Sequence, residues 1–404
     1  MEKRPILKKK LTNRDVKFMK TLIYLDNAAT TLKKPPMVAK AVANAISSGE
    51  IGNAGRSAYS AAYTALQELY NTREIIAKLF NIKNPLNVAL CQNGSAALNI
   101  ALRSLFYNPE NTHIITSVFE HNSVLRPLYQ FREAGGLLSI CTPDPTTGQF
   151  HVESLIQKNT KAVVINHASN VIGVVQDLKA MHEVCQKHNL VMIVDMCQTA
   201  GLIPIDASQF PNSIFCFTGH KGLYGPQGTG AIVVVGNFIF KPVFSGGSGH
   251  DSFNTQHPCL MPDVFEVGTM NVPSFIGLNR GIEYVINTGI ENINQKVSSL
   301  RSYFLKGLNK IEGITTYGTN YNSTYSGVVS LNVKNLPSSE VSLALYEKYG
   351  IATRSGAHCA PLLHEYFHTK EQGMVRFSFS SFNTKKEICL AVEALKEIAK
   401  ENNK

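Results

Sequence analysis

The amino-acid sequence predicts an α/β fold, with a large domain built on a mostly parallel sheet and a smaller α+β domain after it. Short runs rich in valine and isoleucine alternate with helical stretches, which is typical of parallel strands that are buried on both faces. A chain of 404 residues is also long for one compact core, so we expect two domains.

Buried strands are predicted along the large domain, and a polar motif follows each of them. In open α/β sheets the carboxyl ends of the strands carry the functional site, so we expect these motifs to meet at one edge of the sheet. The strands span residues 87–91, 113–117, 163–167 and 190–194, and a further apolar strand precedes Thr218.

The smaller domain is predicted to follow a boundary near residues 261–273, which leads into a long helix. Thr384 and Glu387 have the spacing of a capping box at the start of the last helix. The remaining predicted elements are strands at 327–333 and 374–380 and helices at 339–349 and 384–402, the last with a buried stripe of Ile388, Val392, Leu395 and Ile398.

The predicted division of the chain has three parts. Residues 1–20 form a basic segment with little apolar periodicity, which either packs with the small domain or is flexible. Residues 21–270 form the large domain with the lysine and phosphate motifs. Residues 271–404 form the small domain, which contains the segment 351–361 around Cys359, the cysteine loop.

Lys221 lies within a glycine-rich run, residues 218–230, directly after an apolar strand. A lysine amine becomes a nucleophile, or binds an aldehyde, when it is desolvated and held still, and glycines allow such close packing. The alternative is an ordinary surface loop with a solvated lysine.

Three polar residues follow the neighbouring predicted strands. Asp195 ends one strand, with Gln198 a short turn later, and Asn170 follows another. A buried carboxylate needs a cationic partner, and a pyridinium nitrogen is one such partner. On local grounds alone, Asp195 is equally a helix cap and Asn170 equally a turn residue.

An anion site is predicted where Gly94 and Ser95 open an apolar helix. Backbone N–H groups at a helix start, together with a serine hydroxyl, can bind a phosphate. An N-cap without a ligand is the alternative. His121 opens another helix, where an imidazole can stack on an aromatic cofactor or serve only as a helix-start residue.

In their order and spacing, these motifs resemble the class V aminotransferase-like enzymes, which use pyridoxal 5′-phosphate. The resemblance extends from about residue 22 to residue 399 and implies the pyridoxal-phosphate fold type I, with a large domain of the seven-stranded type. The segments that carry it are 24–31 (Tyr-Leu-Asp-Asn-Ala-Ala-Thr-Thr), 120–123 (Glu-His-Asn-Ser), 169–173 (Ser-Asn-Val-Ile-Gly), Asp195 with Gln198, and 219–225 (Gly-His-Lys-Gly-Leu-Tyr-Gly).

The resemblance implies a role for each cofactor residue. Lys221 would form the Schiff base, Asp195 would pair with the pyridine nitrogen, and His121 would stack on the ring. Asn170 and Gln198 would contact the ring oxygen. The implied phosphate ligands are Gly94, Ser95, Thr218 and His220, together with Thr269 of a neighbouring subunit in a homodimer.

A second segment, residues 351–361, contains Arg354-Ser355-Gly356-Ala357-His358-Cys359-Ala360. It resembles the Arg-x-Gly-x-His-Cys-Ala segment of cysteine desulfurases and selenocysteine lyases, with the short loop of the group II branch. The resemblance implies that Cys359 accepts sulfur as a persulfide and that alanine is formed. Cationic neighbours, Arg354 and the histidine, favour a thiolate.

The amino-acid substrate is expected to be held through its carboxylate. Arg376 alternates with apolar neighbours in a predicted strand, and a guanidinium suits a bidentate grip on a carboxylate. The expected substrate-binding residues are Asn27, Ala28, Asn170, Arg354 and Arg376, and the expected catalytic residues are Lys221, Cys359 and His121.

Because of two departures from the family pattern, the sequence does not decide which amino acid is the substrate. Tyr59 stands where relatives usually have a histidine, and Gly94-Ser95-Ala96 replaces a more polar phosphate segment. The alternatives are therefore a selenocysteine lyase, or a β-lyase or transaminase acting on a related amino acid, including a D-amino acid. A protein acceptor of the sulfur or selenium is also expected.

Composition excludes other classes of protein. The net charge of +10 favours phosphate binding, but the lysines beyond the first residues are dispersed and no nucleic-acid signature is present.

No apolar run is long enough for a membrane span and no signal-peptide core is present, so a cytoplasmic protein is expected. The eight scattered cysteines predict no metal site. A catalytically silent scaffold is disfavoured by the complete set of site residues.

Overall fold

The computed structural model describes residues 22–55, 58–249 and 252–402, so the basic segment 1–20 lies outside the described residues. Within them, the strands form a large sheet, a smaller sheet and one short two-stranded pair. The predicted α/β class is confirmed.

The larger sheet has seven strands. Its spatial order is β2-β8-β7-β6-β5-β3-β4, and β8 runs in the direction opposite to the other six strands. Numbered along the chain after β1 (Ile23–Tyr24), the strands are β2 Val88–Cys91, β3 His113–Ser117, β4 Leu137–Cys141, β5 Thr160–Asn166, β6 Val191–Asp195, β7 Ser213–Thr218 and β8 Gly230–Val235.

Both faces of the larger sheet are buried. In β5, Val163 and Ile165 enter one hydrophobic cluster while Ala162 and Val164 enter another, because successive side chains point to opposite faces. The helices of this part are α1 Pro36–Ser47, α2 Ser60–Leu79, α3 Gly94–Leu105, α4 Asn122–Glu133 and α5 Leu178–Lys187.

Two long helices, α6 (Val272–Thr288) and α7 (Ile290–Leu308), lead to the smaller sheet. Its antiparallel strands stand in the order β12-β13-β10-β9 over their own hydrophobic cluster. The remaining elements are β9 Ile314–Thr316, β10 Val328–Val333, α8 Ser338–Tyr349, β11 Ile351–Ala352, β12 Arg354–Gly356, α9 Pro361–Tyr366, β13 Met374–Ser378 and α10 Lys385–Asn402.

The short strand β1 pairs with β11, with Ile23 opposite Ile351, and Asp26 forms a bridge with Ser378. The first described strand therefore lies beside elements of the second half, although the predicted division places it in the large domain. The boundary at residue 270 stays a prediction.

The predicted capping box is present. Glu387 accepts a hydrogen bond from the Thr384 backbone N–H at 2.7 Å, and the Thr384 hydroxyl accepts from the Glu387 N–H at 3.3 Å. Among the described helices, no helix combines the length and the apolar character that a membrane crossing requires.

Candidate active site

The loop after β7 closes tightly around Lys221. The Gly219 N–H donates to the Thr229 carbonyl, and the Gly225 N–H donates to the Gly219 carbonyl, both at 2.8 Å. A Cβ on Gly222 would stand 2.4 Å from the Ala200 carbonyl oxygen, so only glycine fits there. Burial lowers the pKa of the Lys221 amine, which favours the uncharged, nucleophilic form.

Lys221 faces a cavity of about 120 Å³. The cavity brings together nearly all the residues that the sequence predicted to bind the cofactor, including side chains from five different loops at the strand ends. The predicted residues in its wall are Gly94, Ser95, His121, Asn170, Asp195, Gln198, Thr218, His220 and Lys221.

Asp195 ends β6 beside the cavity and is 6 % exposed. Its Oδ1 accepts a hydrogen bond from the Cys197 backbone N–H at 2.9 Å. No lysine or arginine in the described part of the chain lies within ion-pair distance of this carboxylate. A buried carboxylate facing a cavity is suited to a cationic ring nitrogen.

His121 precedes α4 and is neutral. Burial lowers the pKa of its imidazole to about 4, against the opposing effect of Asp195. Its Nδ1 accepts the Ser123 backbone N–H at 3.0 Å and lies 2.9 Å from the Ser123 hydroxyl, which is 2.6 Å from the Ser95 hydroxyl. The sequence analysis did not single out Ser123, although it lies within the quoted 120–123 motif.

The predicted anion site lies at the start of α3. The Asn93 side chain accepts the Ala96 N–H at 2.9 Å, while the N–H groups of Gly94 and Ser95 have no acceptor among the described residues. A Cβ on Gly94 would stand 2.3 Å from the Cys197 sulfur. Backbone donors with the Ser95 hydroxyl can therefore bind a phosphate, and no side chain fits at position 94.

The cysteine loop is bound to Asn170, which lines the Lys221 cavity, and to Asn122, which lies between two lining residues. The Asn170 side chain donates to the His358 carbonyl at 2.8 Å, and the Asn122 N–H donates to the Cys359 carbonyl at 2.7 Å. His358 and Cys359 both have left-handed backbone conformations, with φ of 50° and 57°. Two residues beside the cavity thus hold a loop conformation that non-glycine residues seldom adopt.

The structure distinguishes between the two expected cationic neighbours of Cys359, which are His358 and Arg354. Burial lowers the pKa of His358 to about 2, so this imidazole is neutral and supplies no charge to a thiolate. Arg354 stands directly opposite Arg376 in the smaller sheet and remains the expected cation.

Arg376 is 2 % exposed. Its Nη2 donates to Asp26 Oδ1 at 2.8 Å and its Nη1 to the Asn170 carbonyl at 3.0 Å, while its Nε has no partner among the described atoms. The guanidinium is therefore fixed beside Asn170, with its Nε–H unused.

Asn27 and Ala28 line a small neighbouring cavity of about 40 Å³, which also reaches Gln198 and Lys221. Gln198 Nε2 donates to the Ala28 carbonyl at 3.2 Å. The Asn27 side chain donates to the Ser378 carbonyl and to Asn383, at 2.9 and 3.1 Å, so it joins the site to β13.

Thr269 and Tyr59 do not line the Lys221 cavity. Thr269 lines a different cavity of about 420 Å³, with Phe244, Glu266 and Met270, and does not line the Lys221 cavity. Tyr59, at the departure from the family pattern, is 54 % exposed and also lies outside the lining of the Lys221 cavity.

Lys34 and Cys197 are site residues that the sequence analysis missed. The Lys34 amine donates to the His220 carbonyl at 2.7 Å and to the Thr31 hydroxyl at 2.6 Å, and burial lowers its pKa to about 8. Its place three residues after the end of the 24–31 motif was the available signal. Cys197 lies between Asp195 and Gln198 and lines the cavity, a position that the motif itself indicates.

Comparison with known proteins agrees with this geometry. A model of the aminotransferase class-V family matches residues 23–390. The chain belongs to this family. Its enzymes depend on pyridoxal 5′-phosphate, and the residues fit that group, because the cavity offers a buried carboxylate without a cation, an enclosed amine and free N–H groups at a helix start.

The chain is similar over nearly its whole length to proteins named cysteine desulfurase. A probable cysteine desulfurase of Methanothermobacter thermautotrophicus is 30 % identical over 96 % of this chain and 97 % of its own length. Among solved structures, the apo cysteine desulfurase of Thermococcus onnurineus aligns with a TM-score of 0.87, 27 % identity and coverage of 94 % and 95 %. The cysteine desulfurase CsdA of Escherichia coli aligns with 0.83, 26 % and the same coverage.

Proposed function

We propose that this protein is a pyridoxal-phosphate-dependent cysteine desulfurase, which converts cysteine to alanine and keeps the sulfur as a persulfide on Cys359. The observation that carries the proposal is the attachment of the cysteine loop to the lysine cavity through Asn170 and Asn122. A transaminase needs no second nucleophile at this place.

The cofactor would be held by residues of the cavity. Lys221 would bind its aldehyde carbon, Asp195 its pyridine nitrogen, and the N–H groups of Gly94 and Ser95 its phosphate. His121 would contact the ring, with Asn170, Gln198, Thr218 and His220 in the surrounding wall. When bound, the cofactor withdraws electrons from the α-carbon of the amino acid, which makes the α-proton acidic.

The substrate carboxylate would be bound beside Arg376, whose Nε is unused and whose position is fixed by Asp26. Arg354, directly opposite in the sheet, would balance the same anion. The uncharged amine of Lys221, once displaced by the substrate amine, would accept the α-proton. Asn27 and Ala28 would form the wall on the other side of Lys221.

Sulfur transfer would follow at Cys359. The thiolate attacks the substrate sulfur, a sulfur–sulfur bond forms, and the bond between the substrate β-carbon and its sulfur breaks. The electron pair of that bond stays on the β-carbon, which takes up a proton, and the α-carbon regains the proton that Lys221 had accepted, which gives alanine. Release of the persulfide sulfur as sulfide requires an added thiol reductant, and a protein acceptor is the expected partner in the cell.

The decisive experiment compares wild type with Cys359→Ala on both enantiomers of cysteine and selenocysteine, with dithiothreitol as the reductant. We expect alanine and sulfide from wild type, and neither from the variant, which should still bind the cofactor with an unchanged absorption spectrum. Cys389→Ala, which alters an exposed cysteine on α10, is the matched control.

Each alternative predicts a different product. Pyruvate as the main product, unaffected by Cys359→Ala, would exclude the desulfurase and indicate a β-lyase. Alanine from selenocysteine alone would indicate a selenocysteine lyase. A requirement for a keto acid would indicate a transaminase.

We also propose a homodimer in which Thr269 of each chain completes the phosphate site of the other. Support comes from the separation of Thr269 from the cavity of its own chain. It also comes from an exposed apolar stripe formed by Tyr59, directly before α2, and by Tyr63, Leu66 and Tyr70 on α2. Such a stripe on an outer helix face is typical of an interface. Light scattering should give a dimer, and an active monomer with bound cofactor would refute this assignment.

A cytoplasmic location is proposed on the chemistry of the cysteines. All eight are free thiols, including the proposed sulfur acceptor, and a reducing compartment keeps them so. Fractionation of the source cells with an antibody to the protein is the direct measurement.

A further inference from the structure

The His121 imidazole is held by a backbone donor. The Ser123 backbone N–H, in the first turn of α4, lies 3.0 Å from His121 Nδ1. A backbone N–H can only donate, so Nδ1 must be the acceptor. This assignment does not depend on where a hydrogen is placed on the ring.

The other ring nitrogen then carries the proton. Burial lowers the pKa of His121 to about 4, so the ring is neutral at ordinary pH and holds a single N–H. Within the described residues, Nε2 has no hydrogen-bond partner, and His121 lines the Lys221 cavity. The N–H group of the ring is therefore available to a bound molecule.

The Ser123 side chain strengthens the same arrangement. Its hydroxyl lies 2.9 Å from Nδ1 and 2.6 Å from the Ser95 hydroxyl. Since Nδ1 is an acceptor, the Ser123 hydroxyl donates to it, and the Ser95 hydroxyl donates to Ser123. The charged groups that act on the ring from other elements are Asp195, Lys221, Arg354 and Arg376.

We propose that Ser123 is a positioning residue for His121, whose Nδ1 it holds as an acceptor so that Nε2 presents an N–H to the bound substrate and cofactor. This inference rests on the proposed function for the identity of the site. It gives His121 the role of a neutral hydrogen-bond donor and leaves Lys221 as the base that takes the α-proton. The contact with Ser95 joins this orientation to the phosphate site.

The test is nitrogen NMR of the holoenzyme labelled with ¹⁵N-histidine, in which protonated and unprotonated ring nitrogens resonate far apart. His121→Gln identifies the signals of His121. We expect the proton on Nε2 in wild type and in Ser123→Thr, which keeps both the hydroxyl and the N–H. Ser123→Ala removes the hydroxyl and should raise the ratio of the Nδ1–H form to the Nε2–H form by roughly two- to tenfold, the usual effect of one hydrogen bond.

Ser123→Pro also removes the backbone donor, at a helix position where proline is tolerated, and should raise that ratio further. Alanine turnover should fall in proportion to the loss of the Nε2–H form, more in Ser123→Pro than in Ser123→Ala, while the KM for cysteine changes little. Ser339 occupies the same second helical position in α8 and is exposed, so Ser339→Ala and Ser339→Pro are the matched controls.

A proton on Nδ1 in wild type would overturn the inference, as would unchanged His121 signals in both Ser123→Ala and Ser123→Pro. If Ser123→Pro loses the cofactor, the wild-type and Ser123→Ala signals still decide. The proposed function is tested separately, because failure to form alanine leaves the position of the ring proton measurable.

Discussion

Arg376 and Asp26 form an ion pair of 2.8 Å that joins β13 to the first described segment of the chain. The arginine side chain is 2 % exposed and the aspartate 18 %. The same guanidinium donates to the Asn170 carbonyl, so the ion pair fixes a cation beside the substrate region. Because the arginine is buried, its orientation depends on this carboxylate.

Asp26→Asn should therefore weaken both stability and substrate binding. A buried cation that loses its partner costs about 2–4 kcal/mol of the free energy of unfolding, measurable by urea denaturation, and the KM for cysteine should rise. Glu153→Gln is the control, because its ion pair with Lys187 is half-exposed and should contribute less than about 1 kcal/mol. Equal effects of the two substitutions would contradict the role given to Asp26.

Lys221 should carry the cofactor. Borohydride reduction of the purified protein should bleach the absorption of the bound cofactor and leave a pyridoxyl group on the peptide that contains Lys221. Lys221→Ala should lose this covalent attachment. Attachment to Lys34, the other lysine with a lowered pKa beside the loop, would refute the assignment.

Gly94 and Cys197 should behave as a coupled pair. Gly94→Ala places a methyl group 2.3 Å from the Cys197 sulfur and should cost about 1–3 kcal/mol of stability and weaken cofactor binding. Cys197→Ala alone should cost about 1 kcal/mol, whereas the double variant should recover most of the stability lost in Gly94→Ala.

The measurements are chemical denaturation of the apoprotein and fluorescence titration with pyridoxal 5′-phosphate. Gly247→Ala is the control, because a Cβ there would meet no atom within 4 Å. Additive losses in the double variant would show that the two residues are independent.

Glu120 should make stability depend on pH. It is fully buried, and burial raises its pKa from 4.5 to about 8. Between these values the folded protein binds a proton that the unfolded chain has released, so its stabilising effect is present below about pH 4.5 and is lost as the pH rises to about 8.

Glu120→Gln removes this titration. From pH 5 to pH 8, wild type should lose about 2–4 kcal/mol of unfolding free energy relative to the variant, since each unit of pKa shift corresponds to about 1.4 kcal/mol. Urea denaturation at the two pH values measures the difference, with Glu153→Gln as an exposed control. A constant difference between wild type and Glu120→Gln would show that Glu120 is ionised in the folded protein.

The sequence was sufficient to predict much of the larger sheet and most of the residues that line the Lys221 cavity. Strand 113–117 was predicted to the residue, and Lys221, Asp195 and His121 come together because strand ends share one edge of the sheet. Such local patterns need no knowledge of distant contacts.

The sequence was insufficient to predict contacts between residues that are far apart along the chain. Nothing local to Asp26 indicates Arg376, and nothing local to Gly94 indicates the sulfur of Cys197. The neutrality of His358 likewise follows from burial, which depends on the packing of the whole loop, so the sequence wrongly suggested a cation there.

The pairing of Ile23 with Ile351 also means that one part of the fold can form only late in translation. The ribosome makes β1 early and β11 late, while all strands of the larger sheet, between Val88 and Val235, have emerged long before. β1 therefore cannot pair with β11 until almost the whole chain has been translated. An incomplete chain carries the lysine without the thiol loop or Arg376, so the two reactive groups meet only in a molecule whose translation is nearly complete.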